Sequence, residues 1–92
     1  MRAQVMNYFD TARQEYRALV DVIDADGERH PAGAARGADK TACARWITAI
    51  LQDYGFSDNA MADVQILDLP EMARPSFVQV RTRAAFLEAQ GA

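Results

Sequence analysis

From Cys43 to Tyr54 the apolar residues Cys43, Trp46, Ile47, Ile50, Leu51 and Tyr54 recur at i, i+3, i+4, i+7, i+8 and i+11. Only an α-helix gathers that spacing on one face, and Lys40, Arg45, Thr48 and Gln52 fall on the other. Asp39 is placed to cap the first amides, and Gly55 to close the C-terminus in the left-handed conformation. The sequence therefore predicts a helix over about Asp39–Tyr54 with Trp46 at the centre of its buried stripe. Any fold for this chain must supply an apolar surface beneath that helix.

The surface is expected to be a sheet. Leu19-Val20-Asp21-Val22-Ile23 is rich in β-branched residues and runs into Asp24-Ala25-Asp26-Gly27, a hairpin signal in which Asp-Gly supplies positive φ. With Asp26-Gly27 as a two-residue loop, Asp24 would face Arg29 across the strands. Pro31 has no N–H to donate, so the return strand, Glu28 to Arg36, reads as a sheet edge or a short strand dissolving into loop. The small residues Gly33, Ala34, Ala35 and Gly37 would let this arm pass close to the helix. Asp63–Leu69 reads as a further strand stopped by Pro70. After Pro75, the alternation of Val78, Val80 and Thr82 against Gln79, Arg81 and Arg83 reads as another, followed by a helical turn over Ala84–Ala89.

Two readings of the N-terminus compete. Val5, Phe9, Ala12, Tyr16, Leu19 and Ile23 fit one long helix from Arg2 to Ile23. The preferred reading is a short helix, about Ala3–Gln14, followed by a strand, because Val20, Val22 and Ile23 crowd against the hairpin signal. Ninety-two residues with no linker make one domain, 1–92. The expected class is α+β: a small antiparallel sheet, one main helix packed on it and a short N-terminal helix.

Chemistry-bearing residues are sparse. Cys43 is the only cysteine and His30 the only histidine, so neither a disulfide framework nor a thiolate or histidine metal cluster can be assembled. Asp24-x-Asp26-Gly27 lacks the further ligands and distal glutamate of a calcium loop. Gly33 and Gly37 precede a helix but carry no phosphate-binding fingerprint. We therefore expect no enzyme, no cofactor and no metal. No apolar run approaches the roughly 18 residues of a membrane span, and the N-terminus lacks a signal-peptide core, so the expected compartment is the cytoplasm.

What remains is charge. Between Ile47 and Glu71 stand five acids (Asp53, Asp58, Asp63, Asp68, Glu71) and no lysine or arginine, whereas Arg74, Arg81 and Arg83 follow without an acid between them. With a net charge of −3, such separation either reflects solvated faces or steers partners of opposite sign. The acidic surface would occupy a basic groove on a protein, its carboxylates standing where phosphates would. An arginine-bearing strand with Phe77 in line would instead stack on RNA.

In layout, the chain resembles the small anti-CRISPR proteins that act on type I surveillance complexes. A hairpin with an Asp-Gly turn leads through Ala34-Ala35-Arg36-Gly37-Ala38-Asp39 into the helix Thr41-Ala42-Cys43-Ala44-Arg45-Trp46, and strands follow. The resemblance covers about Tyr16 to Leu69 and transfers no functional residue. It implies a phage-encoded, non-enzymatic inhibitor that sits on a Cas subunit in the host cytoplasm and blocks guide or target DNA. The alternatives are a small RNA- or DNA-contacting module using the arginines, or a structural subunit of a larger assembly.

Overall fold

The computed structural model describes residues 1–57 and 63–91. Six elements follow one another: β1 (Arg2–Asp10), β2 (Glu15–Ile23), β3 (Arg29–Gly37), α1 (Lys40–Asp53), β4 (Val64–Asp68) and α2 (Phe77–Gly91). The strands form one sheet in the order β3-β2-β1-β4. The first three pair antiparallel, but β4 returns beside β1 in parallel, from Ala3↔Val64 to Asn7↔Asp68. The class is α+β, as expected, with a mixed rather than an antiparallel sheet.

Alternate residues of the central strands serve opposite faces. Ala3, Val5, Ala18, Val20, Val22 and Ala35 pack with Cys43, Leu51 and Phe56 under α1. Met6, Tyr8 and Leu19 pack with Leu69, Val80 and Ala84 under α2. Two helices thus cover the two faces of one sheet.

This two-sided burial overturns the N-terminal helix in both of its forms. Ala3, Gln4, Val5 and Met6 are buried in succession, so the strand shows none of the alternation of a half-buried sheet. A spacing of four, as in Val5–Phe9, satisfies the period of a strand as well as a helical turn. The turn between β1 and β2 contains neither glycine nor proline. It is held by Asp10, whose Oδ1 accepts from the backbone N–H of Ala12 (3.1 Å) and Arg13 (3.0 Å), while Gln14 adopts φ 53°.

The hairpin between β2 and β3 forms where expected, one residue out of register. Asp24 N–H donates to the Glu28 carbonyl, Gly27 closes the loop at φ 83°, and Arg29 lies opposite Ile23 instead of Asp24. Pro31 sits on the outer strand opposite Asp21, at a bulge beside Val20 and Asp21, the kind of position to which proline is confined in sheets. Helix α1 begins with Asp39, whose carboxylate accepts from Ala42 N–H at 2.8 Å, and ends before Gly55 at φ 88°.

Trp46 is not the core of that helix: it is 46 % exposed. The sheet meets α1 along Cys43, Ile47, Ile50 and Leu51, and Trp46 lies about 100° around the helix from Ile47, beyond the contact. The strand expected after Pro75 is also overturned. Ser76 and Gln79 form a reciprocal capping box (Gln79 N–H to Ser76 Oγ, 3.1 Å; Ser76 N–H to Gln79 Oε1, 2.8 Å), and the chain continues as α2.

Candidate partner-binding surface

On the α1 face, the helix packs chiefly over β3 and β2 and leaves the outer side of β4 open. Strand β4 ends the sheet, and its outer edge has no partner strand among the described residues. Ile66 points to the α1 face in register with Val5, yet is 54 % exposed because no helix reaches it. Asp63 immediately precedes β4 and Asp68 ends it, both exposed.

At the carboxyl ends of β1 and β4 this open side deepens into a groove of about 590 Å³, lined by Asn7, Phe9, Tyr16, Lys40, Cys43, Asp68 and Glu71 among others. Its position follows from topology. β1 leaves towards β2 on one side, while the segment after β4 stays beside β1 (Leu69 N–H to the Asn7 carbonyl, 2.8 Å; Met72 N–H to the Phe9 carbonyl, 3.1 Å) before turning to the opposite face. The Phe9 and Tyr16 rings meet at 4.9 Å and 59°, and Lys40 Nζ lies 5.9 Å from the Tyr16 centroid. Asn7 Nδ2 faces Asp68 Oδ1 at 3.4 Å. Cys43 is buried against the sheet, and burial pushes its thiol up, which suits packing rather than nucleophilic attack.

The buried carboxylate Asp10 braces the groove from behind. Beyond the turn contacts it binds the Arg13 guanidinium at 2.6 Å and accepts from Arg74 N–H at 3.2 Å. This ties the β1–β2 turn to the connection that carries Glu71. Burial alone would raise its pKa, but the Arg13 side-chain hydrogen bond and the Arg13 and Arg74 backbone N–H groups outweigh it and bring it from 3.8 to about 2. A carboxyl lowered on folding stabilises the native state above its unfolded pKa and loses that contribution as pH falls through the folded one. Asp10→Asn should therefore remove the part of the acid destabilisation that falls between about pH 4 and pH 2. Denaturant melts of both proteins across that window check this. Parallel curves would mean that Asp10 titrates alike in both states.

Of the acids singled out by sequence, Asp68 and Glu71 share the groove, Asp63 immediately precedes β4, and Asp53 ends α1. Asp58 lies outside the described residues. No basic residue stands in the last turn of α1, so Asp53 adds to the negative helix end instead of being neutralised there. The arginines do not form a strand face. Arg81 and Arg83 sit two residues apart on α2 and diverge by about 200°. Arg83 and Arg74 are exposed, but Arg81 is held inside the fold by Asp21 (Nε–Oδ2 2.9 Å, Nη2–Oδ1 3.0 Å).

That pair belongs to a polar network that sequence reasoning missed. Arg29 Nη1 also reaches Asp21 Oδ2 (3.1 Å) and Gln4 Oε1 (2.5 Å), and Gln4 Nε2 bonds Gln65 and Glu88. Asp21 and Gln4 inside strongly apolar strands were the available signal. Asp24, Glu28 and His30 are the one group among the described residues with metal-ligand types close together, within 4.8 Å at the exposed hairpin tip. Within it the Asp24 carboxylate is already engaged: Oδ1 accepts from the Asp26 and Glu28 backbone N–H groups, and Oδ2 lies 2.8 Å from His30 Nε2.

No family model, curated protein or solved structure matches the chain, so the chemistry of this surface has to be read from its own residues. No helix among the described residues is long and apolar enough to cross a membrane.

Proposed function

We propose that this protein is a non-catalytic protein-binding module that presents the β4 edge to a basic surface of its partner. The observation that carries the reading is an edge strand unpaired among the described residues, with Ile66 exposed on it and the exposed acids Asp63 and Asp68 just before it and at its end. An open edge offers main-chain hydrogen bonds to an incoming strand, and flanking side chains set which strand is accepted. Here they ask for an apolar residue flanked by lysine or arginine. In the setting implied by the anti-CRISPR layout, the partner is a Cas subunit and the acidic edge occupies its nucleic-acid path. The nucleic-acid reading is weaker, because Arg81 is engaged by Asp21 and leaves Arg74 and Arg83 to act alone.

Binding to a purified type I surveillance complex and to a single-stranded RNA separates the two. Association with the complex should slow as salt rises, since steering is screened beyond about 8–10 Å at physiological ionic strength. Asp63→Lys with Asp68→Lys should slow it by roughly tenfold, and Arg74→Glu with Arg83→Glu should change it little. RNA binding that disappears in the arginine variant would overturn the proposal in favour of a nucleic-acid module. Indifference of the complex to both variants would remove the charged edge from any role.

A further inference from the structure

We infer that the groove at the end of β4 is an anchor pocket for an arginine side chain of the basic partner, which deepens the reading above and rests on it. The pocket combines two features that a guanidinium satisfies together. One is the aromatic corner of Phe9 and Tyr16, whose ring already holds a cation, Lys40 Nζ, at 5.9 Å. The other is a set of acceptors, the carboxylates of Asp68 and Glu71. Asp68 is little engaged within the fold, because its 3.4 Å contact with Asn7 is longer than an ordinary N–H···O bond.

The charge balance selects the sign of the ligand. Arg17 is neutralised by Glu15 at 2.8 Å, so the groove sets two carboxylates against the single ammonium of Lys40. One further cation neutralises it, whereas a phosphate would face both carboxylates. Geometry then selects the cation. A guanidinium is planar, stacks on a ring face and bonds carboxylates through a fork of donors, while an ammonium is a compact and strongly hydrated point charge. Ala44 and Ile47 of α1 supply an apolar wall for the methylene stem.

The test titrates the full chain with N-acetyl-arginine amide, followed by amide and aromatic NMR shifts. The comparison ligands are N-acetyl-lysine amide, N-acetyl-citrulline amide and adenosine 5′-monophosphate. Saturable shifts at Asn7, Phe9 and Tyr16 are expected with the arginine compound, and binding about tenfold weaker or less with the neutral citrulline isostere. Glu71→Gln and Asp68→Asn, both at exposed positions, should each weaken arginine binding several-fold. Tyr16→Phe should keep it, and Tyr16→Leu should abolish it at an unchanged fold by far-ultraviolet circular dichroism. Equal shifts with arginine and citrulline, preference for the nucleotide, or no saturation would each overturn the inference. Asp63→Lys and Ile66→Lys should leave arginine binding intact while impairing docking at the edge. Arginine capture without edge docking would therefore sink the edge and keep the pocket, and the reverse result would do the opposite.

Discussion

Arg81→Leu is expected to destabilise the protein by about 3 kcal/mol at neutral pH, the lower end of the 3–5 kcal/mol typical when one partner of a buried ion pair is removed. Asp21 is fully buried, and among the described residues Arg81 supplies the only hydrogen bond to its Oδ1 and one of two to its Oδ2. Arg29 remains, which is why the lower end applies. For a domain of this size the loss corresponds to a melting temperature lower by roughly 12–24 °C.

The pH dependence distinguishes charge from packing. In the native protein burial pushes Asp21 up, but the hydrogen bonds from Arg81 and Arg29 outweigh it and hold the carboxyl below its ordinary value. Its contribution is present above the ordinary carboxylate range and is lost as pH falls through the native pKa. Without Arg81 less opposes burial, the carboxyl shifts upward from its native value, and the stability difference between the two proteins narrows on protonation. The deficit should therefore be largest near pH 7 and shrink below about pH 4. Denaturant unfolding at pH 7 and pH 3 measures it. An equal deficit at both values would mean that Arg81 matters only for the surface its stem covers.

Gly37→Ala is the second large effect, at about 2–3 kcal/mol, the upper part of the range for overpacking. A Cβ at Gly37 would lie 2.6 Å from Cys43 N, 2.8 Å from Ala42 Cβ and 3.0 Å from the Ala42 carbonyl carbon. Two of these three atoms are backbone of the first turn of α1, so relief requires the helix to move off β3. Gly33→Ala is the matched control. Its Cβ would meet only the Ile50 side chain, at 3.1 Å from Cδ1, and a rotamer change there is cheaper than a shifted helix. Thermal melts should show Gly37→Ala well below Gly33→Ala. Equal values would place the close approach elsewhere.

Local signals determined much of this fold by themselves. The stripe from Cys43 to Leu51 with Asp39 and Gly55 at its ends defined α1, because helix period and cap chemistry are written within one segment. Asp26-Gly27 defined the β2–β3 turn, Pro31 the edge strand, and Pro70 the end of β4. The small residues before α1 correctly foretold that β3 passes close beneath it. The clustering of acids between Asp53 and Glu71 was also legible, since charge needs no tertiary contact to be counted.

Tertiary structure decided the rest. Whether Arg2–Asp10 is helix or strand depended on its being covered on both faces, and a strand buried on both faces carries no period to read. The parallel placement of β4 beside β1 required a partner 61 residues away in sequence. Trp46 was left exposed because the sheet meets α1 along Cys43, Ile47, Ile50 and Leu51, and Trp46 lies at the margin of that contact. The same three-dimensional accounting removed Arg81 from the arginine patch by giving it Asp21. It brought Asn7, Phe9, Tyr16, Asp68 and Glu71 to one groove from two neighbouring strand ends, a turn-side strand and a loop. Spacing within a segment reports local periodicity and capping. It cannot report which distant carboxylate a side chain will neutralise, or which face of a helix the rest of the chain will leave uncovered.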